Sequence, residues 1–141
     1  MLNRALIEQR LTMITGYLAE LEKMALLSKT EFLGDKTKVA ACESYIRRSL
    51  EAVFDIGRHI LAKTGPVELA MEYKGIARGL AQKGIVDNVL GEKLLQMAGY
   101  RNRLVHLYNE VTDEELYGIL TENLPDLRDF VRQIRGFLER T

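Results

Sequence analysis

The stretch Arg101–Tyr108, which reads GYRNRLVHLYNE with its flanks, gathers two arginines, an asparagine, a histidine and a tyrosine within little more than two helical turns. Histidine titrates near neutral pH, so His106 can take a proton from a ribose 2′-hydroxyl or return one to a leaving oxygen. Arginine keeps its charge and presents a planar fork, which suits Arg101 to the negative charge that gathers on phosphoryl oxygens. Asn102 can orient the imidazole or hold a phosphate oxygen, and Arg103 adds local positive potential. These residue types fit phosphodiester cleavage in RNA with no metal or other cofactor. Tyr108 is a poor proton shuttle at neutral pH, because a phenol titrates at about pH 10. Its hydroxyl can still accept a covalent group, and a nucleotide attached there would bring phosphate charge and bulk beside the imidazole.

Spacing limits what one chain can do with these groups. On a helix turning about 100° per residue, Asn102 and His106 share a face and Arg101 and Tyr108 are nearly eclipsed, but Arg101 and His106 point about 140° apart. They act on one phosphate only if the arginine swings around, the helix deforms or a second copy of the protein completes the site. In-line cleavage benefits from a base on one side and an acid on the other, and each chain offers one such histidine. A twofold dimer supplies both by bringing His106 and its symmetry mate into one groove. Taken alone, so loose a spacing favours a structural role, with Arg101 in a surface ion pair, His106 in a helix-end hydrogen bond and Tyr108 as a packing side chain. His59 reads as structural, with Asp55 four residues earlier able to hold it. Arg128, Arg132 and Arg135 read as a solvated helix face, interleaved with Asp126, Asp129 and Glu139.

The elements that must position these residues are helical. From Leu2 to about Ser28, Ile7, Ile14 and Leu21 recur at sevens, with Leu11, Leu18 and Ala25 beside them, which is the seam of a long helix packed lengthwise on another. Gly34 breaks the pattern, and Asp35 is placed to cap a second helix. That helix carries Val39, Ile46, Val53 and Ile60 on one line and Leu50, Phe54 and Leu61 beside it, and stops at Gly65–Pro66 near Lys63. The segment LAMEYKGIARGLAQKG is a weaker helix, since Gly75 and Gly79 each cost about 1 kcal/mol relative to alanine. The next helix begins near Asp87, points Val89, Leu90, Leu94, Leu95 and Met97 inward, and runs into the Arg101–His106 stretch. Thr112 and Glu115 form a capping box for the last helical region, where Pro125 forces a kink or a restart. No run alternates as a strand would. The pattern predicts an all-α protein, an antiparallel up-and-down bundle of four to five helices.

Composition narrows the setting. The chain has 141 residues, with 20 Lys plus Arg against 20 Asp plus Glu, so any polyanion must be met by a local patch. The length predicts one domain spanning residues 1–141. The one cysteine, Cys42, fits a small buried hydrophobe in a reducing cytoplasm. Arg4, Glu8 and Arg10 interrupt the stretch where a secretion signal would need its apolar segment, and no apolar run approaches the roughly 18 residues that cross a bilayer. The expectation is a soluble cytoplasmic protein with no membrane partner.

At the level of the whole sequence, YRNRLVHLY resembles the Arg-x-x-x-x-His-x-Tyr signature of the HepT-like toxins, a branch of the HEPN superfamily. ESYIRRSLEAVFDIGRHIL resembles that family's second helix and VTDEELYGILTENLPDLRDFVRQI its tail, so the likeness covers essentially the whole chain. The resemblance implies a dimerising helical bundle in which Arg101 and His106 match the family's ribonuclease pair and Asn102 its polar position after the arginine. It implies that Tyr108 matches the tyrosine to which the antitoxin MntA, a minimal nucleotidyltransferase, transfers AMP from ATP with magnesium. The expected function is that of an endoribonuclease toxin, a homodimer acting on RNA and silenced by an MntA-like partner. The alternatives are a non-catalytic helical module that pairs with a minimal nucleotidyltransferase or binds a nucleotide, and a purely structural adaptor.

Overall fold

A computed structural model describes the backbone of residues 2–65 and 67–141, and the side chains of these residues except Val67 and Tyr108. Among the described residues there are seven α-helices and no strand: α1 (Arg4–Met24), α2 (Lys29–Leu33), α3 (Lys36–Thr64), α4 (Tyr73–Gln82), α5 (Asn88–His106), α6 (Asp113–Glu122) and α7 (Leu124–Arg140). Four long helices thus carry the bundle, and three short ones join them. No helix of the described residues is long and apolar enough to cross a membrane.

Contacts between helix ends show how the bundle runs. The Asn3 amide, just before α1, donates to His59 Nε2 near the end of α3 at 2.9 Å, and Arg4 donates to the Leu138 carbonyl near the end of α7 at 2.7 Å. At the other end of α1, Glu22 meets Arg128 in the second turn of α7. α1 is therefore antiparallel to both α3 and α7. The seam residues Ile7, Leu11, Ile14, Leu18 and Leu21 are buried there, as are Val39, Ile46, Val53 and Ile60 of α3. Full burial of each such side chain contributes roughly 1.5–3 kcal/mol, and all seven helices add to the same apolar cluster.

Side-chain caps explain most helix starts. Asp35 accepts from the Lys38 amide, Asp87 from the Leu90 amide and Thr112 from the Glu115 amide, each satisfying a donor that the first turn leaves free. The break after α1 comes earlier than Gly34. Ser28 and Glu31 form a full capping box, with bonds of 3.1 and 3.0 Å, so the chain stops at Met24, turns and starts α2. Phe32 of α2 is fully buried with its ring 5.4 Å from that of Tyr117 on α6, and the Tyr117 hydroxyl donates to the Leu27 carbonyl at 2.8 Å. Pro125 marks a restart: α6 ends at Glu122 and α7 begins at Leu124 with the proline in its first turn.

Two expectations need correction. The segment from Leu69 is not one helix. A 3-10 turn over Val67–Met71 precedes α4, and α4 is only 10 residues long. Its glycines serve a close approach: a Cβ on Gly75 would stand 2.4 Å from the Leu69 carbonyl oxygen, and one on Gly79 would stand 2.6 Å from Leu61 Cδ1. Val89, expected in the interior, is 72% exposed. It lies about 100° from Leu90 and about 140° from Leu94 on the helical wheel, off the buried stripe Leu90–Leu94–Ala98, while Leu95 and Met97 are half-buried. Gly65 caps the end of α3; Pro66, read as part of the same stop, lies outside the described residues.

Candidate active site

The Arg101–His106 stretch forms the last turns of α5. His106 is the final helical residue, and Leu107 leaves the helix with φ −130° and ψ 36°, its amide still donating to the Arg103 carbonyl. Residues Tyr108–Glu110 then make a 3-10 turn. His106 is solvent-exposed, and its neighbours Val105 and Leu107 are exposed apolar residues. The side chain of Tyr108, the residue read as a modification site, lies outside the described residues.

Arg101 turns the other way. Its side chain is only 14% exposed, and its Nε donates to Glu51 Oε1 on α3 at 2.6 Å. Nη1 donates to Asn102 Oδ1 at 3.3 Å. The guanidinium carbon sits 4.0 Å from the centroid of the Tyr73 ring at the start of α4, a cation–π distance. Tyr73 packs edge-on against Phe54 at 5.1 Å, and its hydroxyl donates to Glu51 Oε2 at 3.4 Å. On α3 the residues Glu51, Phe54, Asp55 and Arg58 follow the three-and-four spacing that puts them on one stripe. Asp55 pairs with Arg10 of α1 at 3.3 Å and with Arg58 at 3.6 Å, and Arg58 Nε donates to the Ala70 carbonyl at 3.3 Å. An exposed His106 and an inward-turned Arg101 agree with their wide angular separation on the wheel, and neither hydrogen-bonds the other.

Arg103 serves the turn that follows. Its two terminal nitrogens form a fork on the Glu115 carboxylate, both bonds 2.9 Å, and Nη2 also donates to the Glu110 carbonyl at 3.3 Å. The Arg103 guanidinium holds the Glu115 carboxyl below its ordinary range, and Glu115 in turn raises the arginine. The capping box expected at Thr112 is therefore half formed: the hydroxyl caps α6, while Glu115 is held by Arg103. Burial pushes the neighbouring Tyr100 phenol well above the usual tyrosine range, which keeps it neutral.

The other singled-out residues are structural. His59 accepts a hydrogen bond from the Asn3 amide, and desolvation, aided by Lys63, lowers its pKa. Asp55 holds Arg10 and Arg58 instead of His59. Arg128 and Arg135 bridge to Glu22 and Glu8 of α1, and Arg132 pairs with Asp129 on its own helix. Burial pushes the Cys42 thiol up to about 12. Glu51 and Tyr73 were not visible as site residues in the sequence, where nothing marks them apart from other half-buried polar residues.

A family model described as Ribonuclease HepT-like matches residues 14–134. The chain belongs to the HepT-like ribonuclease family. This HepT-like chain is 27% identical, over 133 residues, to the tRNA nuclease HepT of Aphanizomenon flos-aquae (strain 2012/KM1/D3), covering 94% of this chain and 90% of that one. Among solved structures its fold is similar to that of the cytosolic protein YutE of Bacillus subtilis, with a TM-score of 0.81 and 24% identity, covering 99% of this chain and 92% of that one. It is similar, again at a TM-score of 0.81, to a tri-AMPylated HEPN toxin of Shewanella oneidensis solved in complex with an MNT antitoxin. That match has 22% identity and covers 96% of the HepT-like chain and 99% of the toxin.

Proposed function

We propose that this HepT-like protein is a metal-independent endoribonuclease toxin that cuts RNA at a site shared by two protomers. The observation that carries the reading is the exposed His106 at the tip of α5, flanked by the exposed apolar residues Val105 and Leu107. Burying such apolar neighbours between two copies of the chain would bring two imidazoles into one groove. One imidazole takes the proton from the ribose 2′-hydroxyl as that oxygen attacks phosphorus. The other donates a proton to the 5′-oxygen as its bond to phosphorus breaks, leaving a 2′,3′-cyclic phosphate and a 5′-hydroxyl. Arg101 stabilises the charge on the non-bridging oxygens, and Asn102, bonded to it, supports that role. Arg103 holds the turn after α5 against α6 and adds positive potential nearby. The similarity to the tRNA nuclease of Aphanizomenon makes tRNA the first substrate to test.

Tyr108 is the proposed switch, and an MntA-like minimal nucleotidyltransferase the proposed partner, supported by the AMPylated toxin and its antitoxin among the structural relatives. The phenol oxygen would bond to the α-phosphorus of ATP as pyrophosphate leaves and the phenolic proton is lost. The added phosphate would place negative charge beside Arg101 and His106.

Induced expression in cells tests this reading. Wild type is expected to arrest growth, while His106→Ala and Arg101→Ala are not; equal arrest by all three, or arrest by none, counts against a nuclease. Incubation with the partner and ATP should add an AMP mass to the Tyr108 peptide. Adducts on other residues alone would reject the switch.

A further inference from the structure

We propose that Glu51 and Tyr73 are positioning residues that fix the Arg101 guanidinium for the phosphate, an inference that rests on the nuclease reading above. An arginine that must meet a transition state gains from being oriented before the substrate arrives, because its long side chain otherwise loses rotamer freedom during the reaction. Three contacts remove that freedom here. Glu51 Oε1 takes Nε–H at 2.6 Å, Asn102 Oδ1 takes one Nη1 hydrogen at 3.3 Å, and the Tyr73 ring supports the face at 4.0 Å. The supports are themselves supported: Tyr73 donates to the second oxygen of Glu51, and Phe54 stands edge-on against its ring.

The arrangement leaves a specific part of the guanidinium for a ligand. Of the five N–H donors of an arginine, Nε–H goes to Glu51 and one Nη1 hydrogen to Asn102. Three remain without a partner among the described residues: two on Nη2 and one on Nη1. Glu51 therefore anchors the arginine by its inner nitrogen and leaves donors at the tip for phosphoryl oxygens. The same carboxylate lowers the local positive potential, so it favours correct placement at the expense of simple attraction for RNA. A residue that only stabilised the fold would have no such two-sided effect.

The test compares kcat and KM for cleavage of a tRNA by purified dimers of wild type, Glu51→Gln, Glu51→Asp, Tyr73→Phe, Tyr73→Leu and His106→Ala, with melting temperatures measured in parallel. Glu51→Gln is expected to lower kcat by about 10- to 100-fold, the scale of a misplaced catalytic group, with KM unchanged or reduced. Glu51→Asp should recover part of the loss. Tyr73→Phe keeps the ring and should stay within about 3-fold of wild type, whereas Tyr73→Leu should resemble Glu51→Gln. Wild-type kcat in both Glu51→Gln and Tyr73→Leu, with His106→Ala dead, overturns this inference alone. A loss in Glu51→Gln that tracks lowered melting temperature and is not recovered by aspartate also overturns it. No cleavage by wild type overturns it together with the nuclease reading.

Discussion

Arg103 and Glu115 join the last turn of α5 to the first turn of α6 across the segment that holds Leu107 and Tyr108. With the Glu115 carboxyl held below its ordinary range, the fork contributes stability that is present above the unfolded carboxylate pKa and is lost as pH falls through the lower folded value. The protection factors of the Leu107 and Glu110 amides, exchange being compared with the intrinsic rate at each pH, are therefore expected to fall in acid before the bundle melts, and Glu115→Gln should lower them already at pH 7. Protection unchanged by that substitution would show that the clasp does not hold the turn. The chemistry proposed for Arg101, His106 and Tyr108 is argued from their side-chain types alone. The partners of Arg101 are not legible in the sequence, because Glu51 stands 50 residues away and meets it only when α3 packs on α5. Arg103, read as a source of local positive potential, gives no sign in sequence that it faces Glu115, since Glu115 already has a reading as a capping residue.

Helix starts were legible at Asp35, Asp87 and Thr112, where a capping side chain precedes an apolar pattern. The same rule applies to Ser28 and Glu31, yet the seven-residue seam running through Ala25 masks that break, and the chain reads as one helix to Ser28. Gly75 and Gly79 show the reverse: their low helix propensity is plain in sequence, and the tight packing that requires it is visible only in the fold. Gly75→Ala should destabilise the protein by about 1–3 kcal/mol, because the added methyl meets backbone at the Leu69 carbonyl and not a flexible side-chain tip. Urea denaturation checks this; stability equal to or above wild type would mean that α4 shifts without cost. At the start of α1, the Asn3 amide needs a neutral His59. Burial holds the His59 pKa below the ordinary histidine range, so the bond is intact throughout that range and is lost as pH falls through the lower folded value, where the protection factor of the Asn3 amide should drop. A protection factor at Asn3 that does not change with pH would argue against the bond.

For the molecule as a whole, equal numbers of acidic and basic residues leave RNA binding to local groups, and the one histidine near Arg101 makes assembly part of the proposed chemistry. The antiparallel helical bundle was readable from the seams of α1, α3 and α7, whereas the surface of the proposed dimer was not, because apolar residues facing a partner follow the same spacing as those facing the core. Dimers carrying one wild-type and one His106→Ala protomer are expected to retain less than about a tenth of wild-type activity if base and acid come from different chains; about half the activity would indicate two independent sites. The most direct measurement is cleavage of a labelled tRNA, in excess EDTA, by wild type and His106→Ala purified identically. Wild type should produce fragments ending in a 2′,3′-cyclic phosphate at least about 100-fold faster than the variant. Equal rates for the two proteins, or no cleavage by either, would contradict the account.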